Sequence, residues 1–167
     1  HHMTLEYATR EGSRTGAALG NGGSTNCVGG VDAANIDAQI VAAVQRVLKS
    51  PGSPVNLGAV AEIRLYRADG GGNQSGSAAN VWRYTPGAGP DIEPGTGVDR
   101  LDFSQGSSGW PVCSRSTGPN PDSIGVSIRY GYPFQTPLGA VASLFQGPPA
   151  TLLNISDRTV MALNPQS

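Results

Sequence analysis

Between Ser123 and Phe134 the chain reads SIGVSIRYGYPF, with a large apolar or aromatic side chain at every second position. Ile124, Val126, Ile128, Tyr130, Tyr132 and Phe134 share one parity; Gly125, Ser127, Arg129, Gly131 and Pro133 share the other. A strand sends successive side chains to opposite faces, so this pattern predicts a strand with one face buried and one in water. Such a strand needs paired neighbours and something to cover its apolar row. Pro133 and Pro137 limit its ladder beyond about Tyr132.

Two segments are candidates for that cover. Asp32 to Lys49 carries an apolar stripe of Ile36, Ile40, Val44, Val47 and Leu48, with Val41 at its edge. That spacing is helical. Asp32 suits the N-cap, Arg46 and Lys49 suit the C-terminal end of the dipole, and Pro51-Gly52 stops the run. Thr4 to Ala18 reads as a second helix, with Ala8, Gly12 and Gly16 four residues apart and Gly20 following. A glycine inside a helix costs about 1 kcal/mol against alanine, so the stripe wants a reason. Close packing of another backbone is one; a helix end fraying into a loop is the other.

The remaining strands are read from alternation. Val60 to Ala68 places Ala61, Ile63 and Leu65 on one side and Glu62, Arg64 and Tyr66 on the other. Asn80 to Thr85 reads as its antiparallel return after a long polar tip, Asp69 to Ala78. That tip lacks the several carboxylates and the terminal Glu of a twelve-residue calcium loop. Ile155 to Asn164 is predicted as the last strand, with Thr159, Met161 and Leu163 on one face and Arg158, Val160 and Ala162 on the other. Leu101 to Phe103 suggests a short strand, and Pro137 to Gln146 a short helix opened by its proline. The loops between absorb much of the 24 Gly and 13 Pro. A compact core with long Gly/Pro-rich loops is expected rather than a disordered chain.

Little chemistry is visible. His1, His2 and Met3 resemble the end of an expression tag, and no other histidine exists. A Ser or Cys triad would lack its base. Lys49, the sole lysine, has no serine motif beside it. Asp91, Glu93, Asp99 and Asp102 could supply a carboxylate pair, but in a Gly/Pro-rich stretch poorly suited to fixed geometry. There is no phosphate loop or dinucleotide fingerprint. Net charge is −1 with no basic run, so no nucleic-acid partner is expected. No apolar run reaches a membrane span. Trp110, before Cys113, is either a plug pinning its loop to the core or, with Trp82, an aromatic platform for a glycan or protein. Cys27 and Cys113, the only cysteines, are either free thiols or a disulfide in an oxidising compartment. Their loop-like, polar surroundings favour the bond.

Two stretches at opposite ends carry a resemblance. Ala8-Thr9-Arg10-Glu11-Gly12-Ser13-Arg14 is similar to the AxREGxR-type motif that follows the transmembrane helix of TadE-like (TadE/TadG) proteins of Tad/Flp pilus assembly. Ser156-Asp157-Arg158-Thr159-Val160-Met161-Ala162-Leu163-Asn164-Pro165 resembles that family's closing strand, where Glu is usual at the position of Asn164. Between them, IRLYRADG, the Trp–Pro–x–Cys segment and Asp122 to Tyr130 follow in the family's order. The resemblance implies a membrane-anchored, pseudopilin-like bacterial protein whose helix before Thr4 crosses the membrane. Its domain would then face the periplasm or the exterior, and its partners would be other pilin-like or Tad apparatus subunits. No catalysis, cofactor, metal or small-molecule substrate is implied. It also favours packing as the reason for the small-residue stripe, against another subunit or the domain's own sheet. Ala8, Glu11, Gly12, Arg14 and Gly16 are then the candidate assembly interface.

The expectation is an α+β, pilin-like fold, with two helices on one face of a sheet of about four antiparallel strands. Residues 1–3 are tag, 4–19 the stub of the anchor helix, and 20–167 one globular domain.

Overall fold

The computed structural model describes residues 1–92, 100–132 and 153–164. Two helices, α1 (His2–Leu19) and α2 (Ile36–Leu48), pack on a five-stranded antiparallel sheet. The strands are β1 (Val60–Ala68), β2 (Gln74–Tyr84), β3 (Phe103–Ser108), β4 (Ser123–Tyr132) and β5 (Leu153–Ala162), in the order β3-β2-β1-β4-β5. The fold is α+β, and the short strand brings the expected sheet of about four strands to five. The short strand anticipated at Leu101 to Phe103 lies further on: it begins at Phe103 and runs along β2, where small polar residues expose its outer end.

In β4 the apolar parity turns inward, and of the other parity Gly125 is buried as well, under the Tyr66 ring. Ile124, Val126, Ile128 and Tyr130 are buried towards the helices. They meet Ile63 and Leu65 of β1, Trp82 of β2, Leu5 and Ala8 of α1, and Ile36, Ile40 and Val44 of α2 in one core. Burying a side chain of this size contributes roughly 1.5–3 kcal/mol. In β1 the inward set is corrected: the register shifts between Val60 and Glu62, so Val60 is buried and Ala61 lies exposed. A bulge advances the pleat by one residue and reverses which neighbour faces inward.

The hairpin tip is shorter than the polar composition suggests, because β2 already begins at Gln74. Asp69 closes the turn: its Oδ1 accepts from the amides of Gly71 and Asn73, both at 2.9 Å. That is the local side-chain turn which aspartate favours.

Helix α2 starts four residues later than expected. Asn35, with φ 50°, is the N-cap, and its side chain makes no cap bond. Asp32 still serves the helix end from outside, accepting from the Ile36 amide at 2.9 Å. Helix α1 lies along α2 and crosses β4 and β5. It starts at His2, and its Leu5 and Ala8 belong to the common core. Phe134, the predicted helix at Pro137 to Gln146, Glu93 and Asp99 lie outside the described residues.

Candidate functional site

The small-residue stripe is the seat of α1. A methyl group at Gly12 would lie 2.6 Å from Val44 Cγ2 of α2 and 3.2 Å from Val126 Cγ1 of β4. At Gly16 it would lie 2.7 Å from Ile124 Cδ1 and 3.2 Å from Ile40 Cδ1. Both glycines therefore let α1 settle into the groove between α2 and the sheet, and Ala8 is fully buried beside them. Three of the five residues expected at an assembly interface, Ala8, Gly12 and Gly16, are thus taken up inside the chain's own core. A residue with a Cβ would hold the helix off its own sheet, which is why the packing is intramolecular.

Glu11 and Arg14 sit on the other side of α1 and face outward. Arg14 donates to Glu11 through Nε at 3.1 Å and Nη2 at 2.9 Å. Hydrogen bonding to Glu11, then its charge, raises the Arg14 pKa further above its ordinary value. Arg10 pairs with Glu6 one turn earlier. Among these ion pairs stand the exposed side chains of Tyr7 and Met3, Tyr7 being 65% exposed. A shallow cleft runs between Tyr7, Arg10, Glu11, Arg14 and Met161 of β5. An outer helix face with paired charges and one exposed aromatic can pack against a second helix, although each exposed pair is worth little by itself.

The inner side of α1 is joined to β5 by polar contacts within an apolar seam. Thr9 Oγ1 lies 3.1 Å from Thr159 Oγ1, and Ser13 Oγ donates to the Thr159 carbonyl at 2.8 Å. Further along, the Asn164 amide donates to the Ala17 carbonyl at 2.9 Å. The two stretches that carry the resemblance, about 150 residues apart, therefore form one contact. Only pairing of β5 on β4 brings Thr159 under α1, so spacing along the chain held no sign of it.

Cys27 and Cys113 are joined, with their Cα atoms 5.5 Å apart. The bond ties the α1–α2 connection to the segment between β3 and β4. Beside it lies a buried polar knot. Arg115 Nη2 donates to Asp37 Oδ1 at 2.5 Å, and its guanidinium stacks 4.5 Å above the Trp110 ring. Asn80 donates to Asp37 Oδ2 and to the Trp110 carbonyl, and accepts from the Trp110 amide. Trp110 is the plug, and it is buried. Trp82 faces inward from β2 and is buried too, each indole being 3% exposed. Neither forms a platform at the surface, which corrects the reading of both as loop aromatics. Strand parity buries Trp82, and Asn80 with Arg115 pulls Trp110 inward.

Sequence reasoning missed Asp37, Asn80 and Arg115. Asp37 looked like an ordinary first-turn acid, and nothing linear joins three residues on three separate elements. A cavity opens beside this knot, between Asp32, Asn35, Asp37, Trp82, Gln105 and Val112. Trp82 Nε1 has no hydrogen-bond partner there.

Of the carboxylates weighed as a catalytic pair, Asp91 and Asp102 lie among the described residues, and Asp91 Oδ1 is buried without a hydrogen-bond partner. Asp91 bridges to Arg100 through the backbone. Asp102 accepts from the Gly87 amide at 2.9 Å and from Lys49 Nζ at 3.1 Å. Partial burial pushes its pKa up, but the Gly87 hydrogen bond and Lys49 outweigh that and leave it lowered. Among the described residues no group of three His, Cys, Asp or Glu side chains could hold a metal ion. No helix among them is long and apolar enough to cross a membrane.

No family model matches the chain, and neither the curated proteins nor the solved structures contain a match to it.

Proposed function

We propose that this chain is the extracytoplasmic domain of a structural or assembly component, a minor pseudopilin-like protein, of a Tad/Flp-type adhesive pilus or related secretion apparatus. A single helix continuous with α1 would anchor it in the bacterial cell membrane. The observation that carries this reading is the junction of α1 with β5. The AxREGxR-like stretch lies on the closing strand through Thr9, Ser13 and Thr159, so the resembling segments act as one unit. That unit fixes the direction of α1 and leaves Tyr7, Arg10, Glu11 and Arg14 on its outward side for a neighbouring subunit. The Cys27–Cys113 bond supports an oxidising compartment. Stabilisation here comes from core packing, the knot and the disulfide, as a rigid subunit requires.

The gene's complete reading frame gives the first test. An apolar segment of about 20 residues immediately before Thr4 is expected; a cleavable signal peptide ending there would sink the anchor. The second test places a photo-crosslinker at Tyr7, Glu11 or Arg14 in native membranes. Adducts with pilin-like subunits are expected from these positions and not from Arg46 on α2. Recovery of the protein only from the cytosol, with free thiols at Cys27 and Cys113, would overturn the reading.

A further inference from the structure

The sheet face turned away from the helices carries a charge pattern that the assembly reading does not use. Register sets it out in rows across the strands. Arg64 of β1, Ser127 of β4 and Arg158 of β5 lie side by side. Glu62, Arg129 and Ser156 form the adjacent row. On β2 the alternation puts Arg83 on the same face, its stem lying over Gly106, the extra residue where β3 bulges. Among the described strand residues, four arginines thus share this face with one carboxylate, in a chain of net charge −1.

The arginines are positioned rather than neutralised. Glu62 is almost buried beneath them; Arg64 Nη2 donates to one of its oxygens at 3.0 Å, and Arg129 Nη2 lies 3.6 Å from the other. Arg64 Nη1 donates to Gln74 at 3.0 Å, and Arg158 Nη1 to Asn73 at 2.9 Å, both neutral amides. A guanidinium has five N–H donors, so each keeps donors for a further acceptor. Asp69, at the hairpin tip, spends one oxygen on the turn amides. Ser127 and Ser156 floor the cleft between the arginines. The Tyr66 ring covers Gly125 at one end and is itself buried.

The occupant follows from what the face offers and lacks. Protein interfaces are anchored by aromatic or aliphatic side chains in a desolvated centre. Among the described residues the exposed large apolar side chains are Met3, Tyr7, Val28 and Val31, none of them on this face. Single-stranded nucleic acid needs exposed aromatic rings to stack on, and Tyr66 is not exposed. What remains is a hydrophilic chain bearing anionic groups and hydroxyls. The Arg fork suits carboxylate oxygens, and Glu62 already takes one N–H from Arg64.

We propose that this outer face binds an acidic polysaccharide, with Arg64, Arg129 and Arg158 receiving its carboxylates and Ser127 and Ser156 its hydroxyls. The test is titration of the domain with polygalacturonate by calorimetry. Binding that weakens steeply with salt is expected, with at least a tenfold loss in Arg129→Ser/Arg158→Ser. Arg46→Ser, on α2 in the opposite layer, leaves affinity unchanged. Both substituted arginines are solvent-facing, and equal melting temperatures confirm intact folding; should the double variant melt early, the single Arg158→Ser replaces it. Amide NMR shifts should cluster at Ser127 and Ser156. Absence of binding, or equal binding by the variants, overturns the site. Equally tight binding of poly-glutamate or of an oligothymidylate overturns the polysaccharide as its occupant.

Discussion

A methyl group at Gly12 gains about 1 kcal/mol of helix propensity and must displace Val44 and Val126. Both are β-branched, and stiff at the bond that would have to turn. Overpacking of this kind costs about 1–3 kcal/mol, so Gly12→Ala is expected to destabilise in urea unfolding. Gly16→Ala should cost less, because its nearest neighbour is the terminal methyl of Ile124, which can swing aside. A reversed order would show that α1 sits differently. The knot is the other residue-scale determinant. Arg115→Met would leave Asp37 buried without its cation, at a cost of roughly 3–5 kcal/mol. Arg115→Met combined with Asp37→Leu should recover a substantial part of that loss, measured by the same unfolding curves. If the double variant were no better than the single, the pair would not be the origin of the cost.

At the scale of elements, Asp102 joins three of them. It holds Lys49 at the end of α2, the Gly87 amide beyond β2, and the entry to β3, where its own amide donates to Gln45. Its folded pKa is lowered. A lowered carboxylate pKa contributes stability above the unfolded value, near pH 3.9, and loses it as pH falls through the folded value. Asp102→Asn should therefore flatten the acid side of the stability profile below about pH 4, with a smaller effect on the slope near neutrality. An unchanged acid limb would rule this out. Element identity was largely legible in the sequence. Both helices and strands β1, β4 and β5 follow from local periodicity, since burial of one face imposes period 3.6 or 2. The start of β2 was not legible, because Gln74 to Ala78 are small and polar and become a strand only by pairing. Nor was the slip at Ala61, because a bulge answers to the partner strand.

For the whole molecule, the Cys27–Cys113 bond spans 86 positions and connects the helical layer's loop with the segment between β3 and β4. Closing a loop of that length contributes roughly 4–5 kcal/mol in the chain-entropy model. Cys27→Ser/Cys113→Ser is expected to lower unfolding stability by up to that amount while leaving the circular-dichroism spectrum of the folded state intact. Loss of less than about 1 kcal/mol would mean that the knot alone fixes this end of the domain. The sheet also separates two surfaces with different chemistry: α1's outer side with paired charges and Tyr7, and the opposite face with its arginines.

The sequence by itself determined that the strand from Ser123 would bury one face and offered two helices to cover it; for the glycines on the first it left close packing and a fraying helix end both open. Alternation and helical spacing are local consequences of burial, so they are written along the chain. Only the tertiary structure decided what the glycines approach, where the tryptophans point, and which charges share a surface. Those outcomes depend on strand order and register. Order places β4 between β1 and β5, and register sets Arg64, Ser127 and Arg158 in one row although they are far apart along the chain. The strand at Ser123 thus has two partnerships, one readable in its apolar row and the other created when its polar row met its neighbours.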